Sequence, residues 1–260
     1  MATFPEKVDV IGTGISATTL RDVVEHILSP PPEGLIVAIA NVHSVMTARK
    51  NPLFARALAE AEIATTDGVP LAWALRWLGH ERQERIAGLP VHLATIEAGL
   101  PDGVGHYFYG STPETLGRME RNLKTRFPQI KITGMYSPPF GPIDPGELER
   151  VLSDVRGSGT RIVWVGLGAP KQEVWMHEVR SRLPGITLVG VGAVYDWMAG
   201  NVSVAPEWMQ TAGLEWLFRL IKEPRRLWDR YLFNNPAYLI LVGKQVIVYQ
   251  WRHSNLKSSA

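Results

Sequence analysis

One acidic residue stands where an apolar, strand-like segment gives way to a helical pattern. Asp67 follows the run EIATT and precedes GVPLAWALRWLG, in which Pro70 suits the first turn of a helix. Asp is a common helix N-cap, and the spacing predicts that Asp67 or a neighbour has this role. Asp67 also precedes Gly68, which lets a ligand or a backbone approach closely. Two roles are therefore open for Asp67, a helix cap and a group that accepts a proton.

A second candidate is the segment VGLGAPKQEVW, which combines a strand, a glycine-rich turn and a helix opened by Pro170. Free N–H groups at a helix start, with a lysine beside them, suit a diphosphate. Gly168, Lys171 and Gln172 are therefore candidate phosphate-binding residues. The alternative is a solvated first turn in which Glu173 only favours the helix dipole.

Other polar motifs are weaker. Arg85, in RQERIAGLP, precedes a Gly and a Pro that open another helix, but a lone Arg is usually a surface ion pair. The seven histidines show no metal-ligand spacing, and no Asp-x-Asp pair is present. We therefore expect neither a metal site nor a cofactor.

The segment VDVIGTGISA resembles a dinucleotide-binding fingerprint, with Gly12, Gly14 and the small residue Ala17 after a strand. That fingerprint also needs an acid at the end of the next strand, where this chain has Asn41. A tight turn is favoured, and an NAD-dependent oxidoreductase remains as an alternative.

Strand-like and helical segments alternate through most of the chain, which predicts an α/β fold with a parallel sheet and helices on both faces. Ligands of such sheets bind beyond the carboxyl ends of the strands. The residues to inspect are those just after each strand: Gly12, Asn41, Asp67, Gly110, Tyr136 and the regions of Gly168 and Gly192.

Composition limits the class of protein. The chain has 260 residues, 45% of them hydrophobic, and no cysteine, which excludes disulfides and thiolate metal ligands. The N-terminus lacks the pattern of a signal peptide, so a cytoplasmic protein is expected. No apolar run reaches the roughly 18 residues of a spanning helix.

Charge divides the chain into a body and a tail. Residues 215–260 hold eight Lys or Arg against three acids, a net +5 in a chain of net +2, so the other 214 residues carry −3. Interleaved cations and aromatics can bind RNA or an anionic bilayer, and the apolar run 237–249 favours lipid. A helical subdomain with an aromatic core is the alternative. We predict a catalytic domain over 1–205 and a helical, membrane-binding appendage over 206–260, and no nucleic-acid partner. The membrane-binding cations would be Arg219, Lys222, Arg225, Arg226 and Arg230.

Several stretches together resemble the WecG/TagA/CpsF family of bacterial glycosyltransferases. They cover roughly residues 8–235 and match in order and spacing. The matching stretches are ANVHSVMTARKNPLFARALAEAEIATTDGVPLAWALRWLG, ERIAGLP, YFYGSTPETLGRMERNLKTRFPQIKITGMYSPPF, VWVGLGAPKQEVWM and GVGAVYDWMAGNVSVAPEWMQTAGLEWLFRLIKEPRRLWDRY.

The resemblance implies a Rossmann-like core and an inverting, metal-independent transfer of a sugar from a UDP-sugar to a sugar linked to undecaprenyl diphosphate. The family's motif Asp falls on Asp67, which would be the general base, so that Asp67 is expected to be both cap-like in position and catalytic. Asn41, Arg85 and Gln172 match pocket residues, and Arg85 and the 168–172 turn would meet the diphosphate. The family's C-terminal appendage is thought to help membrane docking and to close over the active site.

Two departures bear on the donor sugar. Ile39 stands where the family often has Thr, and Val204 stands where it often has Arg. N-acetylmannosamine, its uronic acid, glucose and glucuronic acid all remain possible donors. We expect a peripheral enzyme of the inner membrane face in polysaccharide synthesis, and the oligomeric state, including a homo-oligomer, is open. The alternatives are the oxidoreductase and a non-catalytic membrane-surface binding module.

Overall fold

The computed structural model describes residues 3–139, 141–206, 208–209, 213–222, 224–229 and 234–258. The strands are β1 (Lys7–Val10), β2 (Thr13–Ser16), β3 (Leu35–Ala38), β4 (Ile63–Ala64), β5 (Gly105–Gly110), β6 (Lys131–Tyr136), β7 (Ile162–Gly166) and β8 (Thr187–Gly190). The helices are α1 (Leu20–Leu28), α2 (Val42–Ala48), α3 (Pro52–Glu60), α4 (Val69–Trp77), α5 (Gly88–Gly99), α6 (Pro113–Arg126), α7 (Pro145–Gly157), α8 (Lys171–Val179), α9 (Val194–Met198), α10 (Glu215–Lys222), α11 (Pro224–Asp229) and α12 (Asn235–Ser258), with a 3₁₀ turn at Arg180–Arg182.

Strands β3 to β8 form a six-stranded sheet in the order β4-β3-β8-β7-β5-β6. All neighbouring strands in it are parallel. The predicted parallel α/β sheet is therefore confirmed. Parallel strands end on the same edge, so the segments that follow β4, β3, β8 and β7 lie side by side.

Helices cover both faces of the sheet, as the continuous apolar strands predict. Alternate residues of one strand belong to different core clusters: Ile36 and Ala38 of β3 to one, Leu35 and Val37 to the other. The first cluster takes buried residues from α2, α3, α4, α7, α8 and α12. The second takes them from α1, α5, α6 and α9. The site at the edge is thus carried by a sheet that is packed on both sides.

The first strand does not join this sheet. Strands β1 and β2 pair antiparallel, with Val10 opposite Thr13. Ile11 and Gly12 both have positive φ, 46° and 88°, as a two-residue hairpin turn requires. The expectation that VDVIG belongs to the parallel sheet is therefore wrong. The dinucleotide fingerprint loses its structural basis too, because Gly12 lies in a hairpin and not in a strand-to-helix turn.

Helix α12 packs on the body through one face. Tyr238 and Val242 are buried, and the Tyr238 hydroxyl donates to the carbonyl of Pro70 at 3.2 Å. Gln245 binds the hairpin: its Oε1 accepts from Ile11 N at 2.8 Å and its Nε2 donates to Asp9 O at 2.7 Å. Part of the apolar run 237–249 is therefore core. The domain boundary at residue 205 stays a prediction.

The other face of α12 is exposed, and it carries Ile240, Ile247 and Trp251. In the described part of the chain, no helix is both long enough and apolar enough to cross a membrane.

Candidate active site

Two cavities adjoin at the carboxyl edge of the sheet. The larger, the sheet-edge cavity, has a volume of about 340 Å³ and is lined by the segments that follow β3, β4, β7 and β8. The smaller, the tail-side cavity, has about 90 Å³ and lies between the start of α4 and the start of α10. The residues common to both are Asn41, His43, Asp67 and Arg219.

The backbone places Asp67 at this junction. Its N–H donates to the carbonyl of Ala40 at 2.7 Å, which extends the parallel pairing of β3 and β4. Gly68 is the N-cap of α4, with φ of 114° and no side-chain capping bond. The predicted cap is therefore the neighbour Gly68 and not Asp67 itself, which lies one residue before the cap position. The carboxylate of Asp67, 22% exposed, lines both cavities instead.

Arg85 reaches Asp67 from the next segment along the chain. The backbone beside it is held by Thr66, whose hydroxyl donates to Glu84 O at 2.7 Å and whose carbonyl accepts from Ile86 N at 3.0 Å. Arg85 Nη2 lies 3.7 Å from Asp67 Oδ1. The same nitrogen lies 2.5 Å from Glu215 Oε2, at the start of α10. One guanidinium thus stands between two carboxylates.

Glu215 was not identified from the sequence. Burial raises its pKa, and the neighbouring Asp67 carboxylate adds to the rise, while Arg85 and Arg219 oppose it. Helix α10 therefore contributes three side chains to the tail-side cavity: the acid Glu215, Trp216 and Arg219. The residues before α10 line only part of this cavity.

Asn41 is both a structural and a lining residue. It is the N-cap of α2 in a capping box: its Oδ1 accepts from Ser44 N at 3.2 Å, and Ser44 Oγ accepts from Asn41 N at 3.2 Å. This fixes the entry of α2 at the end of β3. The structure places Asn41 next to Asp67 in the wall of both cavities, as the edge rule predicts.

The turn before α8 is held by a buried glutamine. Gly168 N donates to Gln172 Oε1 at 3.0 Å, and Gln172 Nε2 donates to Glu173 Oε1 at 2.9 Å. Gly168 and Gln172 line the sheet-edge cavity. The Gly168 N–H points to Gln172 and is not available to a phosphate, which differs from the expectation for this turn.

Glu173 is buried and not solvated. It is 2% exposed, and burial raises its pKa to about 7, against the hydrogen bond from Gln172. The alternative of a solvated first turn is therefore wrong. Lys171 is exposed and is not a lining residue of either cavity, so the predicted contact of its ammonium with phosphate has no geometric support.

Arg219 occupies a different place from the membrane surface predicted for it. Its guanidinium carbon lies 5.6 Å from the centre of the Trp197 ring, and it lines both cavities. Because it lies over Trp197 and lines the same cavities as Asp67, we assign Arg219 to the site and not to the lipid surface. Lys222 and Arg225 are exposed. The side chain of Arg226 and all of Arg230 lie outside the described residues.

Sequence reasoning also missed lining residues whose side chains are aromatic or titratable, among them His43, Asp196, Trp197 and Trp216. Trp197 and Asp196 are on α9, directly after the Gly192 turn, so the edge rule could have found them. Trp216 had no such signal, because it lies beyond the last strand of the sheet. Among the described residues, no group of three His, Asp or Glu side chains could hold a metal ion.

The geometry can be set beside known families. A family model described as the glycosyl transferase WecG/TagA/CpsF family matches residues 8–252, nearly the whole chain. The matched range includes every lining residue of both cavities. The chain therefore belongs to the WecG/TagA/CpsF family of glycosyltransferases, which implies an enzyme of cell-surface polysaccharide synthesis.

Proposed function

We propose that this glycosyltransferase moves a sugar from a UDP-sugar to a sugar linked to undecaprenyl diphosphate, with inversion and without a metal ion. The observation that carries the proposal is the carboxylate of Asp67 at the junction of two cavities, with Arg85 and Arg219 beside it. A base between two binding spaces, flanked by cations, is what transfer between two diphosphate substrates requires.

The reaction is a single displacement. Asp67 accepts the proton of an acceptor hydroxyl, and that oxygen attacks the anomeric carbon of the donor sugar from the side opposite to the UDP. The new C–O bond forms as the bond from the anomeric carbon to the phosphate oxygen breaks, and its electron pair leaves with UDP. Inversion follows because only one displacement takes place. A positioned general base contributes about 10²- to 10⁴-fold to the rate of such a step.

The sheet-edge cavity suits the donor. Glycines line it at the ends of β7 and β8, where a nucleotide can approach the backbone closely: Gly166, Gly168, Gly190 and Gly192. Its volume of about 340 Å³ lies within the range of small-molecule sites. Trp197 adds an aromatic ring and Asp196 an acceptor for sugar hydroxyls. The exact sugar stays open.

Arg219 is the cation that would neutralise the charge that develops on the leaving diphosphate, because it lines both cavities, whereas Arg85 lines the tail-side cavity and not the sheet-edge cavity. Guanidinium groups bind phosphate oxygens bidentately and are always charged. Arg219 lines both cavities, and the nitrogen Nε of its guanidinium is buried without a hydrogen-bond partner among the described residues. That buried donor supports a role for Arg219 toward an anion in the site.

The tail-side cavity suits the acceptor, and the exposed face of α12 suits the membrane that holds it. This cavity is lined by Val69, Pro70 and Trp216, and it adjoins Asn235, where α12 begins. In this arrangement the sugar of a lipid-linked acceptor reaches Asp67 while its lipid chain stays in the cytoplasmic leaflet. The exposed cations Lys222, Arg225 and Arg252 would face the anionic headgroups.

A transfer assay with a panel of UDP-sugars and short-chain lipid-diphosphate acceptors tests this function. We expect one UDP-sugar to be consumed with formation of UDP and a glycosylated lipid, in which NMR finds the inverted anomeric configuration. The rate should be unchanged by a strong chelator. No turnover with any donor, or turnover that a chelator abolishes and magnesium restores, would contradict the corresponding part of the proposal.

A further inference from the structure

Two carboxylates compete for one nitrogen of Arg85. Nη2 contacts Glu215 Oε2 at 2.5 Å, but lies 3.7 Å from Asp67 Oδ1, which is too long for a hydrogen bond. The three side chains are 21% to 22% exposed, so their mutual attraction is only partly screened by solvent. Of these two acids, the one from α10 therefore forms a hydrogen bond with the guanidinium, and the candidate base does not.

The contact of Arg85 with Glu215 instead of Asp67 affects how well Asp67 can act as a base. A carboxylate in direct contact with a guanidinium holds a proton less tightly, because the cation stabilises its charged form. A hydrogen-bonded pair of Asp67 with Arg85 would weaken Asp67 as a base and would also fix its oxygens. At 3.7 Å Asp67 has no hydrogen bond from Arg85, so both effects are smaller than in a hydrogen-bonded pair.

We propose that Glu215 is a positioning residue of the transfer reaction: it draws the Arg85 guanidinium away from Asp67 and leaves the Asp67 carboxylate able to accept the acceptor's proton. The proposal rests on the proposed function, in which Asp67 is the base. It also gives the C-terminal segment a chemical role inside the site, apart from membrane contact.

Among the described residues, five charged or titratable groups line a cavity together with Asp67. Arg85 comes from the segment after α4, Glu215 and Arg219 from α10, His43 from the start of α2 and Asp196 from α9. Glu215 and Arg219 are one helical turn apart on α10 and have opposite charges. Removal of the Glu215 charge would leave Asp67 as an ion-pair partner of Arg85 without this competitor, so Arg85 should move toward Asp67.

The test uses Glu215→Gln in the full chain and begins with a crystal structure of the variant. The amide keeps the size of the side chain but is a weaker partner for a guanidinium. We expect the Arg85–Asp67 distance to shorten to about 2.9 Å, a hydrogen-bonded pair. This measurement needs no turnover, so it decides the contact even if the proposed function fails in the transfer assay.

Kinetics supply the second measurement. In Glu215→Gln the acid limb of the kcat/KM profile should move to lower pH by about one unit or more, and kcat should fall about tenfold, because Asp67 becomes a weaker base. In an Arg85→Gln background the same change should move the acid limb less, since only the direct repulsion between the Glu215 and Asp67 carboxylates remains to be lost.

Two further variants separate positioning from folding. Glu149→Gln removes a carboxylate that pairs with Arg156 and Arg182, none of which lines either cavity, and it should leave the profile unchanged. Glu215→Asp keeps the charge with a shorter side chain, so its acid limb should lie between those of the wild type and Glu215→Gln. An unchanged distance and profile in Glu215→Gln, or an acid limb that moves equally in the Arg85→Gln background, would overturn the proposal.

Discussion

At the scale of single residues, the side chain of Asp67 does not cap the helix that follows it. Its neighbour Gly68 caps α4, so the carboxylate is not used by the helix. Its N–H is bound to Ala40, which fixes the backbone without the side chain. A substitution that keeps the shape of this side chain should therefore change chemistry and not folding.

We predict that Asp67→Asn folds normally and loses about 10²- to 10⁴-fold in kcat, because an amide cannot accept a proton at neutral pH. The rate of UDP formation with the best donor and a short-chain acceptor measures this. Asp102→Asn, in an exposed turn, is the matched control and should keep full activity. Turnover near that of the wild type in folded Asp67→Asn would remove Asp67 from the mechanism.

Glu173 presents the opposite case, a carboxyl group that stabilises the site best when it is neutral. Its pKa is raised from 4.5 to about 7 by burial, and its Oε2 has no hydrogen-bond partner among the described residues. The folded chain therefore keeps a proton that the unfolded chain releases between pH 4.5 and 7. The resulting stabilisation is complete below pH 4.5 and is lost as the pH rises through about 7.

We predict that Glu173→Gln is about as stable as the wild type at pH 4.5 and about 3 kcal/mol more stable at pH 8, because the amide carries no charge to bury. Its oxygen can still accept from Gln172. Urea unfolding at the two pH values measures the difference. Glu178→Gln, an exposed change in the same helix, is the control. Equal stability differences at both pH values would show that Glu173 is not the buried acid described.

At the scale of elements, the carboxyl-edge rule predicts which strand ends meet. Asn41, Asp67, Gly168 and the Gly192 region follow four adjacent strands, and all of them line the sheet-edge cavity. The hairpin β1–β2 could not be predicted this way, because an apolar strand followed by glycines fits a hairpin as well as a strand-to-helix turn. Only pairing with another segment separates the two, and the sequence does not show pairing.

Helix α8 packs closely against the end of β8 at Gly190. A Cβ at Gly190 would lie 2.9 Å from Met176 Cε and 3.0 Å from Gln172 Nε2. The close approach of α8 to this strand therefore depends on the absence of a side chain there. Because Gln172 holds the Gly168 turn, a shift of the glutamine should reach the donor space.

We predict that Gly190→Ala lowers the free energy of unfolding by about 1–3 kcal/mol through overpacking and weakens UDP binding. Isothermal titration with UDP and urea unfolding measure the two effects. Gly117→Ala, inside α6 with only Arg121 Nη1 at 3.9 Å, is the control, and it should gain up to about 1 kcal/mol with unchanged UDP binding. Unchanged UDP affinity in a destabilised Gly190→Ala would mean that Gln172 does not shape the donor space.

At the scale of the whole molecule, the C-terminal tail contacts the rest of the chain in two places. Helix α10 completes the tail-side cavity through Glu215, Trp216 and Arg219, and one face of α12 belongs to the body's core. The net charge of the tail could not reveal this, because composition does not say which residue meets which across a fold. Composition therefore predicts Arg219 to be one of the surface cations, although its environment is Trp197 and the two cavities.

Helix α12 has a face toward the body and an exposed face, and the residues of each face are three or four positions apart. Tyr238, Val242, Gln245 and Tyr249 are four, three and four residues apart and face the body, where the Tyr249 hydroxyl lies near Gly79. Ile240, Lys244, Ile247 and Trp251 repeat the same spacing two residues later and are exposed. An apolar stripe with a cation, on a helix already anchored by its other side, is suited to lie in the surface of a bilayer.

We predict that the combined change Ile240→Gln, Ile247→Gln and Trp251→Gln weakens binding to anionic vesicles at least about tenfold, because each apolar side chain fully buried is worth about 1.5–3 kcal/mol. The three side chains are 60%, 68% and 67% exposed, so the fold should tolerate the change. Leu53→Gln, at a 70% exposed site on α3, is the control and should bind like the wild type. Vesicle sedimentation measures binding, which should also weaken as salt rises past about 0.15 M, where the Debye length is about 8 Å. Vesicle binding by the folded triple variant as tight as that of the wild type would show that this face of α12 does not contact lipid.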